Sequence, residues 1–287
     1  MMNNRIFFFL LLVLFMGACK PKKKEIIIIP DIQKNHLQRN HIMGNVKSII
    51  STLYYIDKNN SEDSTSFTEI KISGSIQHYN PDGYLSQILS LNAEEDTVLV
   101  KNIHYRENNK QDYWIEEDKK NSVTTRCQYE YDLTHFLTSE KIYRNDSLVM
   151  AIAYKTDAMG NAIEITQEYN NLKLRNTIKY NASGLVERID EYDPEQKLFK
   201  YITIEYDKYG NEINRRAFRN GGNLIEYTYT QYDDKERLIK TIFEDRIHHA
   251  REVFDYSEYD QYENWTWENR QIEDQETYIR KRILYYY

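Results

Sequence analysis

The sequence predicts an all-β protein: an antiparallel meander of about eight 26-residue β-hairpin repeats, coiled into a curled or solenoid-like sheet. Three observations carry this. A tyrosine–aspartate turn recurs, clearest in Tyr206-Asp207-Lys208-Tyr209-Gly210-Asn211, and its leading positions fall at 79, 105, 131, 156, 180, 206, 232 and 259, in steps of 26, 26, 25, 24, 26, 26 and 27. A near-constant step of this kind marks a repeat architecture. A second turn lies half a repeat later, as in Asn145-Asp146, Asn170-Asn171 and Asn220-Gly221-Gly222-Asn223, so each repeat reads as one hairpin. The chain also holds 26 tyrosines against only 9 glycines and 4 prolines, and no helical period persists beyond the leader, which favours strands joined by tight turns.

Residues 1–19 read as a targeting leader and stand outside the fold. Arg5 supplies its positive end, and residues 6–15 form an apolar run of ten, too short for a permanent membrane-spanning helix. The run ends in Met16-Gly17-Ala18-Cys19. These four residues resemble the lipobox of bacterial lipoproteins, which implies lipidation at Cys19 and attachment to a membrane through that lipid. Lys20 stands where inner-membrane lipoproteins carry aspartate, which resembles an outer-membrane address. The basic cluster Lys20-Pro21-Lys22-Lys23-Lys24 differs from the acidic cluster of surface-displayed relatives, so the resemblance implies a periplasm-facing protein in preference to a displayed one. Residues 20–43 read as a basic flexible tether, with the apolar knot at 26–29 available to dock on the first strand, and residues 44–287 read as the repeat array.

Within the array, residues 46–56 are rich in β-branched and aromatic side chains, and residues 67–79 alternate; both read as strands ahead of the repeats. The runs between turns, such as 185–192 and 199–206, are about eight to ten residues long. The terminal run Arg282-Ile283-Leu284-Tyr285-Tyr286-Tyr287 reads as a last strand that finishes the array.

The Tyr-Asp/Asn-x-x-Gly signature of Tyr206–Asn211 and of Tyr180-Asn181-Ala182-Ser183-Gly184 resembles the YD-repeat (Rhs-type) family and envelope lipoproteins built from degenerate forms of it. The resemblance runs from about residue 46 to the end. In large members the repeats spiral into a hollow shell around a toxin or serve extracellular carbohydrate-binding modules. For a chain with this number of repeats, it implies a scaffold or binding role.

Chemistry-bearing residues are few. A formal net charge of −7 argues against nucleic acid as partner. Cys127 is the one cysteine besides Cys19, which leaves no intrachain disulfide, and its alternating surroundings suit a small buried hydrophobe. The tyrosine column at the turns suits buried rings with wet hydroxyls on a thin sheet; its alternative is a strip for stacking sugars. The candidate ligand site is the aromatic group near the C-terminus: Tyr256, Tyr259, Tyr262, Trp265 and Trp267, the two tryptophans being alternate residues of one strand. His78, His104 and Glu130 share a repeat column, but two-strand spacing holds them about 10 Å apart, so a solvated face is expected and no metal. One aspartate per turn is what turn chemistry needs and falls short of a calcium loop. No cofactor motif occurs. The reading is a non-catalytic, lipid-anchored envelope protein that binds a glycan or a partner protein. The alternatives are a scaffold that pairs through its sheet edges and, behind it, a carbohydrate-active enzyme.

Overall fold

The computed structural model describes residues 34–57, 67–273 and 276–287. The leader with Cys19, the basic cluster and the apolar knot at 26–29 lie outside them. The described chain opens with a short helix, α1 (His36–Arg39), then β1 (Val46–Asp57) and β2 (Thr68–Tyr79). Hairpin units follow as β3 (Leu85–Leu91), β4 (Thr97–Tyr105), β5 (Gln111–Asp118), β6 (Val123–Tyr131), β7 (Leu137–Arg144) and β8 (Ser147–Thr156). The next are β9 (Ala162–Tyr169), β10 (Leu172–Tyr180), β11 (Val186–Tyr192), β12 (Leu198–Tyr206) and β13 (Glu212–Arg219). The last are β14 (Leu224–Tyr232), β15 (Leu238–Asp245), β16 (Ala250–Tyr259), β17 (Trp265–Ile272) and β18 (Glu276–Tyr286).

Every strand pairs antiparallel with its sequence neighbours, and β1 pairs with both β2 and β18, with Ile50 opposite Ile76 on one side and Ile283 on the other. The 18 strands therefore form one closed up-and-down barrel. The expected curled or solenoid-like sheet is corrected by this closure. Its physical source lies in the turns. In seven of the Tyr-Asp hairpins the register slips by one residue at the leading position, for example between His104 and Tyr105 and between Glu205 and Tyr206. Each slip is a β-bulge that bends and twists its strand. The same bulge repeated at the same place coils the sheet in one sense until its ends meet.

The turns obey local rules. In Asn80, Asp132, Asp157, Asn181, Asp207, Asp233 and Asp260 the side-chain Oδ1 accepts two backbone N–H groups, two and four residues on. The residue three places on takes positive φ, which Gly210 (φ +87°) adopts without steric cost. At the opposite end Asn145-Asp146 and Asn170-Asn171 both hold positive φ, the requirement of a two-residue type I′ hairpin.

Alternation gives the barrel an inner and an outer wall. Lateral rows such as Ile103–Trp114–Cys127–Ile142 and Ile178–Ile189–Ile202–Ala217 run around the inside. The outer wall carries ion pairs in successive sectors: Lys141–Glu130 at 2.7 Å, Lys173–Glu168 at 3.5 Å, Arg216–Glu205 at 2.7 Å, Lys240–Asp255 at 3.0 Å and Lys281–Glu69 at 2.6 Å. Exposed pairs of this kind are screened by water and contribute little to stability. A lipid-facing wall would instead need an unbroken apolar band roughly 25 Å tall, where each such charge costs about 2–4 kcal/mol at the midplane.

Residues 34–43, the end of the expected tether, are folded. Asn35 caps α1 by accepting from the Gln38 N–H, and the Gln38 side chain accepts from the Asn35 N–H, a capping box. Four helical residues are too few to register as a sequence period. Leu37 and Ile42 pack with Val46, Ile49 and Tyr79 in the main buried apolar cluster, flanked by Leu85, Leu284 and Tyr286.

Candidate functional site: two chambers beneath a tyrosine rim

The column tyrosines form a rim on the inside of the barrel. The hydroxyl of Tyr105 donates to the Leu85 carbonyl (2.6 Å), Tyr131 to Gln111 (2.7 Å), Tyr180 to Ala162, Tyr206 to Val186 and Tyr259 to Leu238 (each 2.9 Å). Each ties the end of one strand to the start of the strand before it. The expected wet hydroxyls are instead bonded to backbone carbonyls, on rings that are half-buried. Burial raises the Tyr131 hydroxyl to a pKa of about 12, against the opposing pull of Arg106.

The segment 34–43 crosses the mouth at this rim. At one end the Asn35 amide donates to the Asp82 carbonyl (2.7 Å), and His36 lies edge-on to Tyr84 and Tyr105. At the other end the His41 ring meets Tyr232, while Asn264 accepts from the Met43 N–H (2.7 Å) and donates to the Met43 carbonyl (2.8 Å). The strap borders two chambers. The larger, about 810 Å³, is walled by residues of β4 to β11 and the turns between them, Lys110 included, together with Lys34, His36 and Arg39; the smaller, about 570 Å³, lies between β1, β2 and β15–β18 together with Asn40 and Ile42.

The smaller chamber takes in part of the predicted aromatic site. Tyr256 and Trp265 both line it, their rings 5.1 Å apart. Beside them Glu268 is only 2 % exposed; its Oε2 accepts from Arg280 at 3.3 Å, while its Oε1 is buried without a hydrogen-bond partner. Burial raises the Glu268 carboxyl above its ordinary range, against Arg280, Arg282 and Arg270. Arg282 lies over the Trp265 ring, with its Nε and Nη2 both donating to the Trp265 carbonyl at 3.1 and 2.6 Å. Burial pushes its guanidinium down to about 10. Ser51, Ser73, Ser75 and Gln77 complete the polar wall.

The other predicted residues go elsewhere. Trp267 follows the opposite face: it pairs with Lys281, whose ammonium lies 4.8 Å from both the Trp267 and Tyr54 rings on the outer wall. Trp265 and Trp267 thus part company, in a hairpin where Glu258 breaks strand alternation with a φ of +51°. Tyr259 belongs to the rim, under the Arg237 guanidinium, and half-exposed Tyr262 lies tilted against Tyr286, ring centres 4.2 Å apart. His104 stacks on Tyr113 and Glu130 pairs with Lys141, and among the described residues no group of three His, Cys, Asp or Glu converges to hold a metal. Sequence reasoning missed Glu268, Arg280 and Arg282. The alternation Arg280-x-Arg282 in a terminal strand, two charges on one face next to an apolar end, was the available signal.

No family model and no curated protein sequence matches the chain. Among solved structures it is similar to a porin-like protein from Bacteroides uniformis, at 12% identity over 85% of this chain and 98% of that one, with a TM-score of 0.44. It is also similar to part of the TcdB2–TccC3 assembly, at 13% identity over 74% of this chain and 14% of that one, with a TM-score of 0.35.

Proposed function

We propose that this chain is a non-catalytic envelope protein, lipid-anchored at Cys19, whose barrel stands in the aqueous periplasm and binds a saccharide in the smaller chamber. The charged outer wall supports a barrel held beside a membrane rather than through it. The observation that carries the binding reading is the Glu268 carboxylate: buried, one oxygen unpaired, next to two aromatic rings and two arginines at the wall of an open pocket. A buried polar atom without a partner is costly and rare, and a sugar hydroxyl would satisfy it while Trp265 or Tyr256 covers the ring face. Glu268 is the one carboxylate lining this chamber, and glycoside hydrolysis ordinarily needs a pair. A closed barrel leaves no free strand edge among the described residues, so the alternative of a scaffold pairing through its edges lacks a surface.

The test is titration of the mature protein with glucose, galactose and N-acetylglucosamine, read by tryptophan fluorescence and calorimetry. Trp265→Phe and Glu268→Gln are expected to abolish the response, and Trp267→Phe to leave it intact. A saccharide response that survives Trp265→Phe, or no response to any of the sugars, contradicts the assignment.

A further inference from the structure

The smaller chamber carries a charge preference that goes one step beyond the saccharide reading and rests on it. Its polar wall is set by register. Arg282 of β18 stands opposite Ser51 of β1, and Ser51 stands opposite Ser75 of β2, which makes a row of one guanidinium and two hydroxyls. The next row runs from Glu268 to Arg280, then to Leu53 and Ser73. All of these residues line the chamber, so it holds two arginines against one carboxylate.

The charges are not matched pair by pair. Glu268 Oε2 accepts from Arg280 at 3.3 Å, and Arg270, which also acts on Glu268, is held by Glu252 at 2.8 Å. Arg282 differs: among the described residues it makes no ion pair, and its Nε and Nη2 donate to the Trp265 carbonyl. The other acid that acts on it, Asp260, is occupied by the backbone N–H groups of Tyr262 and Asn264 and by the Tyr286 hydroxyl. Half-buried Arg282 has thus given up water without gaining a carboxylate, a costly state for a charge. The free end of its fork, Nη1 with Nη2, is an edge that pairs with a carboxylate through two parallel hydrogen bonds.

We propose that the smaller chamber selects an acidic sugar, a hexuronate, whose carboxylate is held by Arg282 beside Ser51 and Ser75 while a ring hydroxyl donates to Glu268 Oε1. The aromatic pair fits this placement. Arg282 lies 3.3 Å over the Trp265 ring, and the Tyr256 ring is 5.1 Å from Trp265, tilted by 48°. A pyranose held against Tyr256 has the guanidinium at its edge, where the exocyclic carboxylate of a hexuronate projects. The volume of about 570 Å³ admits a monosaccharide.

The experiment is calorimetric titration of the mature protein with glucuronate and galacturonate, each beside its neutral amide, and with glucose and galactose. At least one hexuronate is expected to bind roughly tenfold or more tightly than its amide, the value of a charge-assisted hydrogen bond, and Arg282→Gln to bring acid and amide level. The comparison of acid with amide uses the unaltered protein, so it stands even if Arg282→Gln, which also loses the bonds to the Trp265 carbonyl, folds poorly. Acid and amide bound alike, or neutral sugars bound more tightly than the acids, overturns the acidic preference and leaves the saccharide reading in place. A preference that survives in a folded Arg282→Gln protein overturns the assignment to Arg282. Silence with every sugar, charged or neutral, removes both readings.

Discussion

Removing one hydroxyl from the tyrosine rim has a calculable consequence. In Tyr131→Phe the ring stays and the bond to the Gln111 carbonyl, 2.7 Å in the structure, is lost. A hydrogen bond contributes about 1 kcal/mol net, and a half-buried acceptor left without its donor adds to the loss, so the cost is about 1–2 kcal/mol. For a chain of this size that lowers the Tm by roughly 2–4 °C per kcal/mol. The rim bonds repeat every second strand, about 10 Å apart, which is far enough for effects to add. Replacing Tyr105, Tyr131, Tyr180, Tyr206 and Tyr259 together by Phe should then cost about 5–10 kcal/mol, comparable to the whole stability of an ordinary domain. Urea and thermal unfolding followed by circular dichroism measure both variants. A Tyr131→Phe protein within about 0.3 kcal/mol of the parent, or a fivefold variant as stable as the parent, refutes the claim that the hydroxyls hold the strands together.

Three other outcomes follow from the geometry. Leu37→Ala removes a side chain only 4 % exposed in the apolar cluster and should cost about 2–4 kcal/mol, seen first as faster amide exchange over residues 34–43 while the strands stay protected. Cys127 is fully buried, and burial, helped by Glu140, lifts its thiol to about 11; it should resist thiol reagents at pH 8 in the folded protein and react fully once unfolded. Asp132 and Asp157 have folded-state carboxyls held below 3.8, chiefly by the Thr134 hydroxyl and the Asn161 amide respectively. Their contribution is complete above the ordinary carboxylate range and disappears as pH falls from 3.8 through the folded values, so the Asp132→Asn, Asp157→Asn double variant should show a shallower fall in Tm between about pH 5 and 3.

Much of the architecture was legible because turn chemistry is local. Asp207 and Gly210 announce their turn by residue type, and the spacing of such turns gives the hairpins. Closure was not legible, because the bulge at seven of the leading positions adds one residue to a strand without changing its composition. The four-residue α1 was hidden for a similar reason: Asn35 and Gln38 form a complete capping box, but the turn between them is shorter than any helical period. At the site, Tyr256 and Trp265 were found by their aromatic character. Trp267 was misplaced because strict alternation was assumed across a hairpin in which Glu258 adopts a positive φ. Glu268 and Glu140 went unnoticed in a chain where 29% of residues are charged; only the register shows that these two carboxylates face inward.

Closure of the sheet makes the lumen and both chambers. Ile50 faces Ile76 across β1–β2 and Ile283 across β1–β18, so one position reports on both seams. In a chain beginning after Cys19, a cysteine at 50 is combined with one at 76 or at 283 and treated with a short bis-maleimide. A closed barrel predicts efficient intramolecular cross-linking of both pairs. Cross-linking of 50 with 76 but not of 50 with 283 would show an open sheet, and both chambers would go with it.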